Sequence, residues 1–183
     1  MNNNYLPTDY QTFIATSRYA RWLEDEGRRE TWGETVHRYM RHIVYQALPS
    51  LGEPVDDYDY GALEIKIRDA ILSLEVMPSM RSMMTAGKAA DRDNTCMYNC
   101  SYLPVDDPKS FDEAMFILLC GTGVGFSVER QFITKLPDVP DLFQSDTTVV
   151  IKDSKEGWAK GLRQVLALLW AGEIPKWDVS KVR

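Results

Sequence analysis

The chain has 183 residues, 44% of them hydrophobic, and a net charge of −6 from 21 Lys and Arg against 27 Asp and Glu. That size allows one domain, or a smaller domain joined to part of a larger one, with apolar residues enough for a real core. The acidic balance gives no field for nucleic acid or an anionic membrane surface, and no apolar run approaches the roughly 18 residues of a membrane span.

The polar start Met1-Asn2-Asn3-Asn4 lacks the regions of a signal peptide, which predicts a cytoplasmic protein. Three cysteines, Cys96, Cys100 and Cys120, argue against a secreted disulfide framework, so any disulfide here should be transient and chemical.

In chain order, the pattern predicts a helix over 11–24, a break at Gly27, and a second helix opened by Thr31-Trp32-Gly33-Glu34. That opening matches the capping box, in which hydroxyl and carboxylate each satisfy a free first-turn N–H. Val36, Met40, Ile43 and Ala47 follow at helical spacing, and Pro49, Gly52 and Pro54 close the unit. A third helix is expected from Asp59, with Leu63, Ile67, Ala70, Ile71 and Leu74 as its stripe up to Met77-Pro78.

After the Met-rich stretch 80–84, a polar loop is expected over 87–94 and a strand over 96–105. Asp107-Pro108 opens the next helix, because Pro fits where the first-turn N–H has no partner. That helix runs to Gly121-Thr122-Gly123-Val124-Gly125 and a short strand over 126–129. Thr147 to Lys152 has the β-branched density of a buried strand. Asp153-Ser154-Lys155-Glu156 repeats the capping-box pattern ahead of a helix lined by Leu162, Val165, Leu166, Leu169 and Trp170, and 175–182 reads as extended. The alternation makes the second part α/β after an all-helical first third. An α/β unit stopping just after an extended segment reads as unfinished.

The glycine turn is neither a dinucleotide fingerprint nor a kinase loop, since it follows a helix and opens a strand, and no kinase lysine or catalytic loop follows. It is either a helix stop or a place where backbone N–H groups approach a ligand closely. Cys96 and Cys100, four apart, would share one strand face with Tyr98 between them. A metal site is not expected, because the histidines, His37 and His42, lie on another helix and no CxxC occurs. Each cysteine taken alone reads first as a small buried hydrophobe, and Met77, Met80, Met83, Met84 and Met97 as pliable packing. Ser79, Arg81, Ser82 and Thr85 are the polar exceptions among them, suited to phosphate or simply to a solvated loop.

Together these strings resemble the start of an adenosylcobalamin-dependent (class II) ribonucleotide reductase catalytic subunit. They are Ser17 to Trp22 with Arg28 to Trp32; Met77 to Ser82 through Gly87; Asn99-Cys100-Ser101-Tyr102; Cys120 to Glu129; Asp153 to Trp158; and Pro175 to Arg183, in family order over nearly the whole chain. The resemblance implies a helical region over 1–76 and the first part of a ten-stranded α/β barrel over 77–183. It implies radical reduction of ribonucleotides to 2′-deoxyribonucleotides with adenosylcobalamin as the radical source.

Cys100 matches the strand cysteine that reduces the substrate and ends in a disulfide with a second barrel cysteine. Ser82, Asn99, Cys100 and Gly123 match the substrate site, with Ser79 and Arg81 in the same segment as Ser82. Cys96 and Cys120 match no catalytic cysteine. The radical cysteine, the second barrel cysteine and the C-terminal pair that re-reduces them would lie beyond Arg183, so this chain alone is expected to be inactive. Implied partners are a di- or triphosphate ribonucleotide, a deoxynucleoside triphosphate effector, the C-terminal remainder of the enzyme, and a thioredoxin-like or dithiol reductant. The competing readings are a small nucleotide-binding α/β module without catalysis, and a fragment that docks on a larger partner.

Overall fold

The computed structural model describes residues 6–51 and 60–183. The expected signals at Gly52, Pro54 and Asp59 lie outside the described residues. Two compact units result, Met1–Tyr98 and Asn99–Arg183.

The first unit begins with α1 (Asp9–Ile14), capped by Thr8, whose hydroxyl accepts from the Gln11 amide. A π-helical turn, Ala15–Tyr19, ends it with Ala20 N–H bonded to the Ala15 carbonyl. The chain then leaves helical geometry, so the helix expected to reach Glu24 is shorter. Strands β1 (Trp22–Leu23) and β2 (Arg28–Arg29) form an antiparallel hairpin instead. Gly27 turns it at φ 61°, and the Glu30 amide closes it on the Arg21 carbonyl at 2.8 Å.

Helix α2 (Trp32–Tyr39) carries the expected capping box between Thr31 and Glu34. It runs through a π turn, Met40–Val44, into α3 (Tyr45–Ala47). An i→i+5 turn holds one more residue than an α turn and rotates the buried face. Val36, Met40 and Val44 are therefore buried, while the predicted Ile43 is half-buried and Ala47 exposed. Helix α4 (Tyr60–Leu72) places Ile71 in the same core, with Ile67, Leu72 and Leu74 packed against it. Trp32 meets Tyr19 edge to face at 6.3 Å, and its indole N–H donates to the Leu72 carbonyl.

Next come α5 (Met80–Thr85), which buries Met83 in that core, and α6 (Lys88–Arg92), which occupies the stretch expected to be loop. Gly87 joins them at φ 112°. Residues Asn94–Met97 form a 3₁₀ turn capped by the Asp93 carboxylate, so Cys96 is not on a strand, and the shared face expected for Cys96, Tyr98 and Cys100 does not exist.

The second unit contains two parallel β-α-β crossovers. The first joins β3 (Cys100–Pro104) through α7 (Lys109–Leu119) to β4 (Gly123–Ser127). After the short α8 (Arg130–Ile133), the second joins β5 (Phe143–Val150) through α9 (Lys155–Trp170) to β6 (Glu173–Asp178). The strand expected to be buried over 147–152 is mostly exposed: Val149 is its buried residue, with Ile151 just beyond. Glycines 157 and 161 set the approach of α9, because a Cβ on Gly157 would overlap the Lys152 carbonyl and one on Gly161 the Ile151 Cδ1. The N-terminus of α9 is not a capping box. Ser154 caps the Gly157 amide at 3.0 Å, but the reciprocal position is glycine, with Glu156 one residue short.

Helices α7 and α9 are tied by Asp112, almost fully buried, which accepts from Arg163 Nε at 2.8 Å. At the other end Lys155 Nζ lies 3.1 Å from Cys120 Sγ and 5.0 Å from the centre of the Phe116 ring.

Candidate functional site

The glycine turn does two separate jobs. Gly121, at φ 84°, is the helix stop: its amide bonds the Leu118 carbonyl and that of Thr122 the Ile117 carbonyl, the paired bonds of a Schellman motif. Gly123 and Gly125 are already on β4, in parallel register with Cys100 and Tyr102. The Gly123 amide donates to the Asn99 carbonyl at 2.9 Å, and Ser101 Oγ donates to the Gly123 carbonyl at 3.2 Å.

This register gives the sheet one unusual face. A Cβ on Gly123 would stand 3.5 Å from the Asn99 oxygen and 4.0 Å from Cys100 Sγ, and one on Gly125 would stand 3.9 Å from Tyr102 Cδ2. The Cys100 thiol and the Tyr102 ring thus border a floor without side chains, and both are exposed. None of the three cysteines is in a disulfide, and Cys96 Sγ is turned inward to the Asp93 carbonyl at 3.3 Å. Such a surface lets a flat or sugar-like ligand meet backbone directly while one oxidisable group stands beside it. Tyr102 was not singled out from sequence, although its position two residues after Cys100 on a strand carries the signal.

The structure therefore brings Asn99, Cys100 and Gly123 together in the second unit. Ser79, Arg81 and Ser82 belong to the first, at the start of α5. Ser79 is exposed and makes no capping bond to that helix, while Arg81 and Ser82 are half-buried. A cleft of about 530 Å³ between α7 and α9, lined by residues such as Asp112, Phe116 and Arg163, contains none of these residues. Among the described residues no group of three His, Cys, Asp or Glu could hold a metal ion, and no helix is long and apolar enough to cross a membrane.

Beneath α5 lies a charged node that sequence reasoning missed. Glu30, 7% exposed, accepts from Arg38 Nε at 2.8 Å, from the Arg21 amide at 3.0 Å and from Thr35 Oγ1 at 3.2 Å. Burial by itself would push the Glu30 carboxyl upward, but the hydrogen bonds from Arg38 and Arg21 outweigh it and hold the group below its ordinary range.

No protein-family model matches the chain. It is 32% identical over 174 residues to the adenosylcobalamin-dependent ribonucleoside-triphosphate reductase of Lactobacillus delbrueckii subsp. bulgaricus, with 76% of this chain and 22% of that protein covered. To the enzyme of the same description from Lactobacillus leichmannii it is 30% identical, with the same coverage, and to that from Lactobacillus gasseri 23% over 183 residues. Among solved structures, the fold matches the crystal structure of a B12-dependent (class II) ribonucleotide reductase with a TM-score of 0.75 at 20% identity. That match covers 93% of this chain and 32% of that one.

In sequence over three quarters of its length, and in its mixed helix and strand architecture, the chain is similar to ribonucleotide reductases. Its relatives are of the adenosylcobalamin-dependent, class II kind, and the chain spans about a fifth of the length of the curated relatives it matches.

Proposed function

We propose that the chain forms part of a class II ribonucleotide reductase, in which it supplies one redox-active cysteine and part of the substrate site. Residues 1–76 would be the helical region and 77–183 the first part of a ten-stranded barrel, completed by the rest of the enzyme. The observation that carries this reading is the exposed Cys100 thiol beside the side-chain-free Gly123 on paired parallel strands.

In this role Cys100 and a second cysteine from the rest of the enzyme each give up a hydrogen. The ribose 2′-hydroxyl leaves as water, hydrogen takes its place at C2′, and the two sulfurs join as a disulfide. Asn99, Cys100 and the Gly123 backbone would face the substrate, and Ser82, with Ser79 and Arg81, would bind it from α5. A dithiol or thioredoxin-like protein would reduce the disulfide, a deoxynucleoside triphosphate would act as effector, and the cytoplasm would be the site of action. Adenosylcobalamin, named in the relatives' description, supplies radical initiation when bound. The steps assigned to this chain's own residues do not run through the cofactor. The relatives' identity as reductases leaves the non-catalytic nucleotide-binding module without support.

Replacing Cys100 by Ser in the full-length reductase should abolish dithiol-supported turnover while leaving nucleotide binding nearly intact, because a hydroxyl keeps the hydrogen bonding but cannot be oxidised. Retained turnover in that variant would overturn the assignment.

A further inference from the structure

We infer that Arg38, fixed by Glu30 and assisted by Arg21, is a positioning residue for the substrate-binding segment on α5; this rests on the reading of Ser82 given above. Helix α5 has six residues, too few to be stable alone, and its last carbonyls have no partner within the helix. Two arginines supply those partners. Arg38 Nη1 donates to the carbonyls of Met83 at 2.8 Å and Ala86 at 2.9 Å, and Arg21 Nη2 donates to that of Met84 at 3.0 Å.

Arg38 is itself held on every side. Its Nε and Nη2 donate to the two Glu30 oxygens, and Nη2 also donates to the Tyr19 carbonyl at 3.0 Å. The guanidinium is 11% exposed and its carboxylate partner 7%, so the node is protected from competing water. Met83 plugs the same end of α5 into the core. The C-terminal end of the segment is thereby fixed by two arginines from distant parts of the chain, while its N-terminal side, with Ser79, stays open to solvent. A guanidinium can bond several carbonyls in one plane and an ammonium cannot, so the geometry requires arginine rather than positive charge alone.

The test is Arg38→Lys in the full-length reductase, which keeps the charge against Glu30 but loses the fork. Ser82→Ala runs beside it. Far-UV circular dichroism should stay native, while the amides of Met83 and Ala86, bonded to Ser79 and Ser82 carbonyls, exchange about tenfold faster. KM for the ribonucleotide should rise about tenfold, the worth of one well-made hydrogen bond, with kcat nearly unchanged. Ser82→Ala should raise KM without faster exchange. If Arg38→Lys does not fold, Arg21→Lys, which removes only the Met84 contact, carries the test by the same readouts. A KM shift in Ser82→Ala with none in Arg38→Lys overturns the positioning role alone, even if exchange accelerates. No KM shift in Ser82→Ala overturns the Ser82 reading and the positioning role with it.

Discussion

At the scale of single residues, the chemistry of the chain divides between an exposed thiol and a buried carboxylate. Cys100 is reachable, and Glu30 is not. Because the folded-state pKa of Glu30 lies below its ordinary value of 4.5, its contribution to stability is full above that pH and is lost as pH falls through the folded value. Glu34, held down to about 2 chiefly by the Arg28 guanidinium and then by the Thr31 amide, follows the same sign at the surface. Glu30→Gln should cost about 3 kcal/mol at neutral pH by leaving Arg38 buried and unpaired. It should also flatten the fall in melting temperature between neutral pH and acid, read by circular dichroism. An unchanged acid dependence in the variant would mean that the node does not govern it. Thr31 with Glu34 was legible in the sequence because a capping box is a contact three residues long. The Glu30 node was not, since its partners stand at positions 19, 21, 35, 38, 83 and 86, and no local pattern joins them.

At the scale of elements, the same division between local and distant causes explains which expectations held. The alternation of strand and helix after Asn99 was legible, because apolar periodicity and glycine stops act locally. The hairpin over 22–29 displaced a helix because Arg21 and Glu30 close a ladder that periodicity alone cannot reveal. The register that sets Cys100 opposite Gly123 needs a parallel crossover through α7, so their adjacency came from the resemblance and not from spacing. Glycine spacing on α9 leads to a graded prediction. Gly157→Ala should destabilise by about 2–3 kcal/mol, since its Cβ meets backbone at Lys152. Gly161→Ala meets only the end of the Ile151 side chain, which can rotate, and should cost about 1 kcal/mol or less. Urea denaturation of the two variants checks the order, and equal costs would contradict the close approach of α9 to the chain before it.

At the scale of the whole molecule, the second unit exposes large apolar side chains on both pairs of strands, among them Phe126, Phe143 and Trp177, each at least 60% exposed. Where such side chains join into one patch they mark a surface for a partner. Under the proposed reading, the remainder of a reductase would cover these side chains; the chain spans about a fifth of the length of the relatives it matches. The purified 183-residue chain, given adenosylcobalamin, dithiol and any ribonucleotide, should therefore form no deoxyribonucleotide; product formation would contradict the need for a second cysteine from elsewhere. The most direct measurement is mass spectrometry of the full-length reductase after one turnover without external reductant. The account predicts Cys100 in a disulfide with a cysteine outside this segment, and Cys96 still reduced. Reduced Cys100 alongside formed product, or a crosslink through Cys96, would contradict it.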